Sequence, residues 1–201
     1  IESLRDVGII LASNRPDLID PAVLRPGRID RKIKVSRPNK EAAAQILKVY
    51  LTEDLPLDSV LVKERGGERV HAAASLVEEV IESIFQRTAD NRLLSIRLRS
   101  GQIKVLYRGD LVSGAILASI VQRAKEKAVD RTIQTGRPAG LLASDLLDSV
   151  SEEFREGEML PPDDAAEEWM KLLEHHPEQV VGVSSLRRGL RTEERLVNPI
   201  I

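Results

Sequence analysis

Val7-Gly8-Ile9-Ile10-Leu11-Ala12 is an unbroken apolar run, flanked by charge and closed by Ser13-Asn14. A short run without polar alternation is what a parallel strand buried on both faces requires. Such a strand needs a neighbour on each side, yet only Ile1 to Asp6 precede it. The run therefore predicts the last strands of a larger α/β sheet, with the remainder of that sheet outside this sequence. A second short strand is expected from Arg31 to Val35, closed by Arg37-Pro38.

From there the period becomes helical. Asn39 should cap a helix over KEAAAQILKVYL, with Ala42, Ala43, Ile46, Leu47 and Tyr50 or Leu51 on one face. EDLPLD breaks the pattern. RVHAAASLVEEVIESIFQRTA then gives a second stripe through Val70, Ala74, Val77, Ile81 and Ile84 or Phe85. Between Leu93 and Arg108 the period drops to two. Leu94, Ile96 and Leu98 alternate with polar residues, as do Ile103, Val105 and Tyr107 after Ser100-Gly101, which is a hairpin signal. SGAILASIVQRAKEKAVDRTIQTG is the clearest helix, from a Ser113 cap to a Gly136 stop, with Leu117, Ile120, Val121, Ala124 and Ala128 as its stripe.

Ser144 is expected to cap a further helix through Phe154, and Pro161-Pro162 to mark a boundary. Asp163 should cap a short acidic helix on which Trp169 is a core anchor, and QVVGVSSL reads as one more strand. The stretch from Arg187 to Ile201 is charged and aperiodic, which predicts mobility. The expected organisation is residues 1–38 as part of an α/β unit, 39–160 as a mainly helical unit with a hairpin near 93–108, and 161–201 as an appendage.

Composition excludes several classes of function. The absence of cysteine removes disulfides, thiolate metal sites and cysteine nucleophiles. Thirty basic against 32 acidic residues give a net charge of -2, so there is no global attraction to nucleic acid or to an anionic membrane. Arg92, Arg97, Arg99, Lys104 and Arg108 gather on the hairpin. Only Tyr107 among them could stack a base, and with 2% aromatic residues in the chain a solvated strand face is the better reading. Glu174-His175-His176 lacks the spacing of a zinc-binding helix, so no metal site is expected there. No apolar run reaches the roughly 18 residues of a membrane span and no signal peptide opens the chain, which together predict a cytoplasmic protein with no membrane partner.

The chemistry lies in ASNRPDLIDPAVLRPGRIDR, residues 12–31. Asn14 stands where an apolar strand ends, the side of an open α/β sheet on which ligands bind. Its neutral amide can hold a water without disturbing a phosphate's charge. Arg25 and Arg28 flank a Pro-Gly turn after the short stretch DPAVL. Arginine's planar fork grips phosphate, and an arginine supplied from outside a nucleotide site stabilises charge in phosphoryl transfer.

This stretch resembles the segment of AAA ATPases that holds the sensor-1 asparagine and the paired arginine fingers. The resemblance matches Asn14 to sensor 1, and Arg25 and Arg28 to the fingers that reach the ATP of the next subunit in a ring. Ser113-Gly114-Ala115 resembles the sensor-2 region of the AAA group, where small residues let a helix start approach the nucleotide. Ile46 and Tyr50 fall where the first lid helix often flanks adenine and ribose, although many relatives have His in place of Tyr50. The hairpin and LLASDLLDSVSEEFREGEMLPPDDAAEEW resemble the enlarged lid of the proteasome-associated ATPases of actinobacteria, the ARC or Mpa type. That resemblance implies a hexameric unfoldase using ATP with Mg2+, a proteasome core as partner and pupylated proteins as substrates.

Two family features are missing. No GxxxxGK[ST] phosphate loop and no acidic Walker B strand occur in the chain, so this fragment alone is expected to be inactive. Proteasome-coupled relatives end in a Gln-Tyr-Leu type tail, whereas Val197-Asn198-Pro199-Ile200-Ile201 has no tyrosine. A ring remodeller without a proteasome link, or a non-catalytic interaction domain derived from an AAA module, are therefore the alternatives.

Overall fold

The computed structural model describes residues 8, 10–13, 19–23, 25, 27–29, 31–156, 180–185 and 195–196, the last three dozen positions being described only as backbone where they are described. The chain divides into two compact units, Ile1–Ser36 and Arg37–Ile201.

The first unit corrects an expectation. Among its described residues neither Ile10–Ala12 nor Arg31–Val35 forms a strand. Ile10, Ile33 and Val35 are 94%, 84% and 90% exposed. The physical reason is that a strand exists only through its ladder, and no ladder joins these two segments to the described residues. What does form is local. Asp20 accepts from the Ala22 amide through Oδ1 at 2.8 Å and from the Val23 amide through its carbonyl at 2.9 Å. Gly27 takes φ +84°, the left-handed value that makes glycine the natural choice for this turn.

The second unit is helical around one small sheet. Helix α1 (Lys40–Tyr50) starts where Asn39 Oδ1 accepts from the Ala42 amide at 2.8 Å, as its capping residue predicts. Ala43, Leu47 and the following Leu51 are buried, whereas Ala42 is exposed and Tyr50 is 37% exposed. A short helix, α2 (Ser59–Glu64), follows; sequence reasoning passed over it, although Asp58 Oδ1 caps it at 2.8 Å to the Val60 amide. Helix α3 (Arg69–Phe85) buries Ala73, Leu76, Val77, Val80, Ile81 and Ile84. This face lies to one side of the expected stripe, so Val70 and Ala74 fall at its border and are exposed.

Strands β1 (Arg92–Leu98) and β2 (Ile103–Tyr107) form an antiparallel hairpin turned at Gly101, φ +83°. The register pairs Leu94 with Leu106, Ser95 with Val105 and Arg97 with Ile103. Residues directly opposite share a face. Leu106 therefore joins Leu94 in the core at 2% exposure, while Ile103 lies across from Arg97 and is 60% exposed. The expected alternation of Ile103, Val105 and Tyr107 chose the wrong face of β2.

A single turn, α4 (Arg108–Leu111), leads to α5 (Gly114–Thr135), which Ser113 caps through its hydroxyl to the Ile116 amide at 3.3 Å. Gly136 closes α5 at φ +64° with its amide 2.9 Å from the Thr132 carbonyl. The predicted stripe is buried throughout, with Ile116 added. Helix α6 (Ala143–Glu156) begins before Ser144, which is exposed; Asp145 Oδ2 instead reaches back to the Leu142 amide at 2.9 Å.

Backbone strands β3 (Val180–Ser185) and β4 (Arg195–Leu196) complete an antiparallel sheet of order β2-β1-β3-β4. The strand expected in QVVGVSSL is present. Arg195-Leu196, expected to be mobile, pairs with Gly182-Val183, because a ladder partner lies within reach. The Trp169 helix, the Pro161-Pro162 boundary and His175-His176 lie outside the described residues.

Candidate functional site

In the second unit the start of α5 is the element that gathers the sequence-selected residues. Ser113 holds extended backbone, φ -135° and ψ 167°, so its hydroxyl satisfies one free amide while the chain enters the helix at Gly114-Ala115. Gly114 is half-buried and Ala115 is exposed. A β-carbon on Gly114 would stand 4.0 Å from Ile46 Cγ2, ordinary van der Waals contact. Ile46 on α1 and Gly114 on α5 are thus neighbours although 68 positions separate them in the chain. Tyr50 stands one turn beyond Ile46 on α1, partly exposed.

Small residues at a helix start leave its amides open to approach, and the amides of the first turn favour an anion. Apolar Ile46 beside them offers a surface for a flat heterocycle rather than for a charge. Among the described residues no group of three or more His, Cys, Asp or Glu is placed to hold a metal ion.

The first unit carries the arginines. Arg28 Nη1 donates to the Ala22 carbonyl at 2.9 Å, and the Arg28 amide to the Arg25 carbonyl at 3.1 Å. The two arginines are exposed on one turn, with Gly27 between them. Asn14 lies outside the described residues.

Sequence reasoning missed Arg37. Its guanidinium donates from Nη1 to the carbonyl of Leu111 and, at 3.5 Å, to that of Val112, the two residues immediately ahead of Ser113. The sequence offered only an Arg-Pro at the expected end of a strand, and no local pattern points to partners 74 and 75 positions away. The hairpin basics also divide. Arg92, Arg97, Arg99 and Lys104 are exposed, while Arg108 turns inward, its guanidinium 5.7 Å from the Phe154 ring centroid. Burial lowers the pKa of Arg108, with Asp90 opposing that shift.

Comparison with known proteins follows the same division of the chain. Residues 38–199 match the family described as ARC, AAA+ ATPase lid domain, and residues 1–37 match the ATPase family associated with various cellular activities (AAA). A proteasome-associated ATPase of Mycobacterium avium (strain 104) is 41% identical over 189 residues, 94% of this chain and 31% of that protein. The proteasome-associated ATPase of Nocardia farcinica (strain IFM 10152) is 41% identical over 189 residues, 94% of this chain and 32% of its own length. That of Mycobacterium sp. (strain KMS) is 39% identical over 204 residues, 98% of this chain and 33% of its own. The chain thus spans about a third of the length of the curated relatives it matches. With the helix-rich second unit and its small antiparallel sheet, these matches make the chain a member of the ARC family of AAA+ ATPase lid domains.

Proposed function

We propose that this chain is the C-terminal part of a hexameric, ATP-driven protein unfoldase that passes pupylated proteins to a proteasome core in the cytoplasm. In this reading residues 1–38 close the large α/β subdomain, 39–160 form a lid enlarged by an inserted hairpin, and 161–201 form an appendage. The observation that carries it is the juxtaposition of Gly114 at a capped helix start with Ile46 on α1, in a chain of the ARC lid family. The relatives' name supplies the proteasome and the ATPase.

Each residue then has a chemical task. Gly114 and Ala115 face the nucleotide, and Ile46 and Tyr50 flank its base and sugar. Asn14 orients the attacking water. Arg25 and Arg28 cross to the γ-phosphate of the neighbouring subunit, where charge builds up as the phosphoryl group transfers. Magnesium, in this reading, is held by the phosphate-loop half of the protein together with the phosphates of the nucleotide.

Mixing two defective subunits of the full-length protein tests the reading. One carries Arg28→Ala; the other has a disabled phosphate loop and intact arginines. Arg28→Ala alone should lose about three decades in turnover, as removal of an arginine finger does, and the phosphate-loop variant alone should be inactive. Mixed rings should regain activity, because an intact arginine then meets an intact phosphate loop across a boundary. Wild-type turnover by Arg28→Ala alone would make the Arg-Pro-Gly-Arg turn structural.

A further inference from the structure

We infer that Arg37 is a positioning residue for the nucleotide, setting where α5 begins; this rests on the reading that the start of α5 faces the nucleotide. Arg37 is the first residue of the second unit. Its side chain donates to the Leu111 and Val112 carbonyls. These are the last residues before Ser113, and both side chains are fully buried. Leu111 ends the four-residue helix α4, and Val112 leaves it at φ -58° and ψ 142°. A carbonyl at a helix end has no intrahelical donor, so it needs another. Arg37 supplies that donor with a charged group, the stronger kind of hydrogen bond.

The geometry makes this more than a local cap. Gly114 is two residues beyond Val112, so the direction in which the Val112 carbonyl is held fixes the direction of the first amides of α5. The chain reaches Arg37 directly from the unit that carries Arg25 and Arg28, and continues within three residues into α1 with Ile46. One guanidinium therefore joins, within the second unit, the point where the chain arrives to the point where the nucleotide-facing helix starts. Val112 and Leu111 anchor in the core by their side chains, but side-chain burial alone leaves rotation of the intervening peptide unopposed; the Arg37 bonds oppose it.

The test uses the full-length protein assembled in rings and reads KM for ATP against kcat, with equilibrium binding of a fluorescent ADP. Arg37→Met keeps the length and the apolar stem and loses the donors. It should raise KM and the ADP dissociation constant by about tenfold, the scale of one charge-assisted hydrogen bond, with kcat at saturating ATP held within about twofold. Arg37→Lys keeps charge and reach without the planar fork and should recover most of that loss, to within about threefold of wild type. If Arg37→Met lowers kcat while KM and ADP affinity stay at wild type, Arg37 only supports folding and the inference is overturned. Should the methionine variant not fold, Arg37→Gln decides: it is uncharged and too short to hold both carbonyls, so it should lose ADP affinity as Arg37→Met does, and wild-type ADP affinity in it would overturn the inference. Gly114→Val serves as the control for the underlying reading. If Gly114→Val loses nucleotide affinity while Arg37→Met does not, the Arg37 inference alone fails; if Gly114→Val binds as wild type, the nucleotide-facing assignment of α5 fails first.

Discussion

Gly140 sits where two loops meet so closely that only a hydrogen fits. A β-carbon there would lie 2.3 Å from the Asp58 amide nitrogen and 2.4 Å from the Leu57 carbonyl carbon, both backbone atoms that cannot swing aside. The meeting is held by two hydrogen bonds, Asp58 amide to Leu141 carbonyl at 3.1 Å and Leu141 amide to Pro56 carbonyl at 2.7 Å. Arg131 Nη2 also donates to the Gly140 carbonyl at 2.7 Å. Gly140→Ala must part the loops. Overpacking costs about 1–3 kcal/mol and each lost bridge bond about 1 kcal/mol, so the loss should reach roughly 3–5 kcal/mol. At about 2–4 °C per kcal/mol for a chain of this size, the thermal midpoint should fall by roughly 6–20 °C. Gly136→Ala calibrates the assay: it carries a left-handed φ of +64° but has nothing within 4 Å of the added carbon. Its loss should stay near 1 kcal/mol, the strain of that backbone region alone. Thermal denaturation followed by circular dichroism measures both. A Gly140→Ala midpoint within about 2 °C of wild type would refute the close approach and the reasoning built on it.

The hairpin register makes a paired prediction: Leu106→Ala should lose about 2–5 kcal/mol as a core truncation, and Ile103→Ala less than about 0.5 kcal/mol. Equal losses in urea unfolding would contradict the pairing of Leu106 with Leu94. Acid stability should depend on Asp145. Burial works to raise its pKa, but hydrogen bonds from Arg131 and from the Leu142 amide, with the charges of Arg131 and Lys127, outweigh it and hold the carboxyl below its ordinary 3.8. Because the folded value is depressed, the stabilisation is present above the unfolded value and lost as pH falls through the folded one. Asp145→Asn should therefore destabilise the chain at neutral pH and flatten the decline in thermal midpoint below about pH 4; an acid limb as steep as wild type would place the titrating group elsewhere.

What the sequence made legible was local. Asn39, Ser113 and Gly136 each announce a helix end through chemistry confined to a few neighbouring residues, and each acts as expected. The stripe of α5 was readable because a long helix averages its period over several turns. The failures need information from elsewhere in the chain. Val105 and Leu106 are adjacent apolar residues, and only the partner strand decides which one faces inward. The strands expected at residues 7–12 and 31–35 depend on a ladder that the described residues do not provide. In the candidate site, Gly114 was visible as a glycine at a helix start, but its contact with Ile46 and the reach of Arg37 to Leu111 are tertiary facts without a local signature.

The polar side of α5 shows the same limit and gives it a consequence. Ser119, Arg123, Lys127 and Arg131 recur every fourth residue, one above another on the helix surface. Across from them, Glu153 Oε2 accepts from the Ser119 hydroxyl at 2.7 Å and lies 3.1 Å from Arg123 Nε. Lys127 Nζ reaches Glu152 at 2.7 Å, and Arg131 grips both oxygens of Asp145 at 2.8 and 2.7 Å. The partners descend along α6 as the donors ascend along α5, so the two helices run antiparallel with a rung at nearly every turn. Desolvating such pairs offsets much of their attraction, which makes them poor sources of net stability. A slide of one turn would bring the next cation of the row to some of the carboxylates. It would still leave one buried carboxylate, Asp145 in one direction and Glu153 in the other, without its cation, and an unpaired buried charge is strongly disfavoured. The rungs therefore fix the register of α6 on α5 more than they add to stability. If Gly114 faces a nucleotide as proposed above, a displacement there would carry α5 and α6 together, the property a lid needs if a change at a nucleotide is to become a movement at its far end.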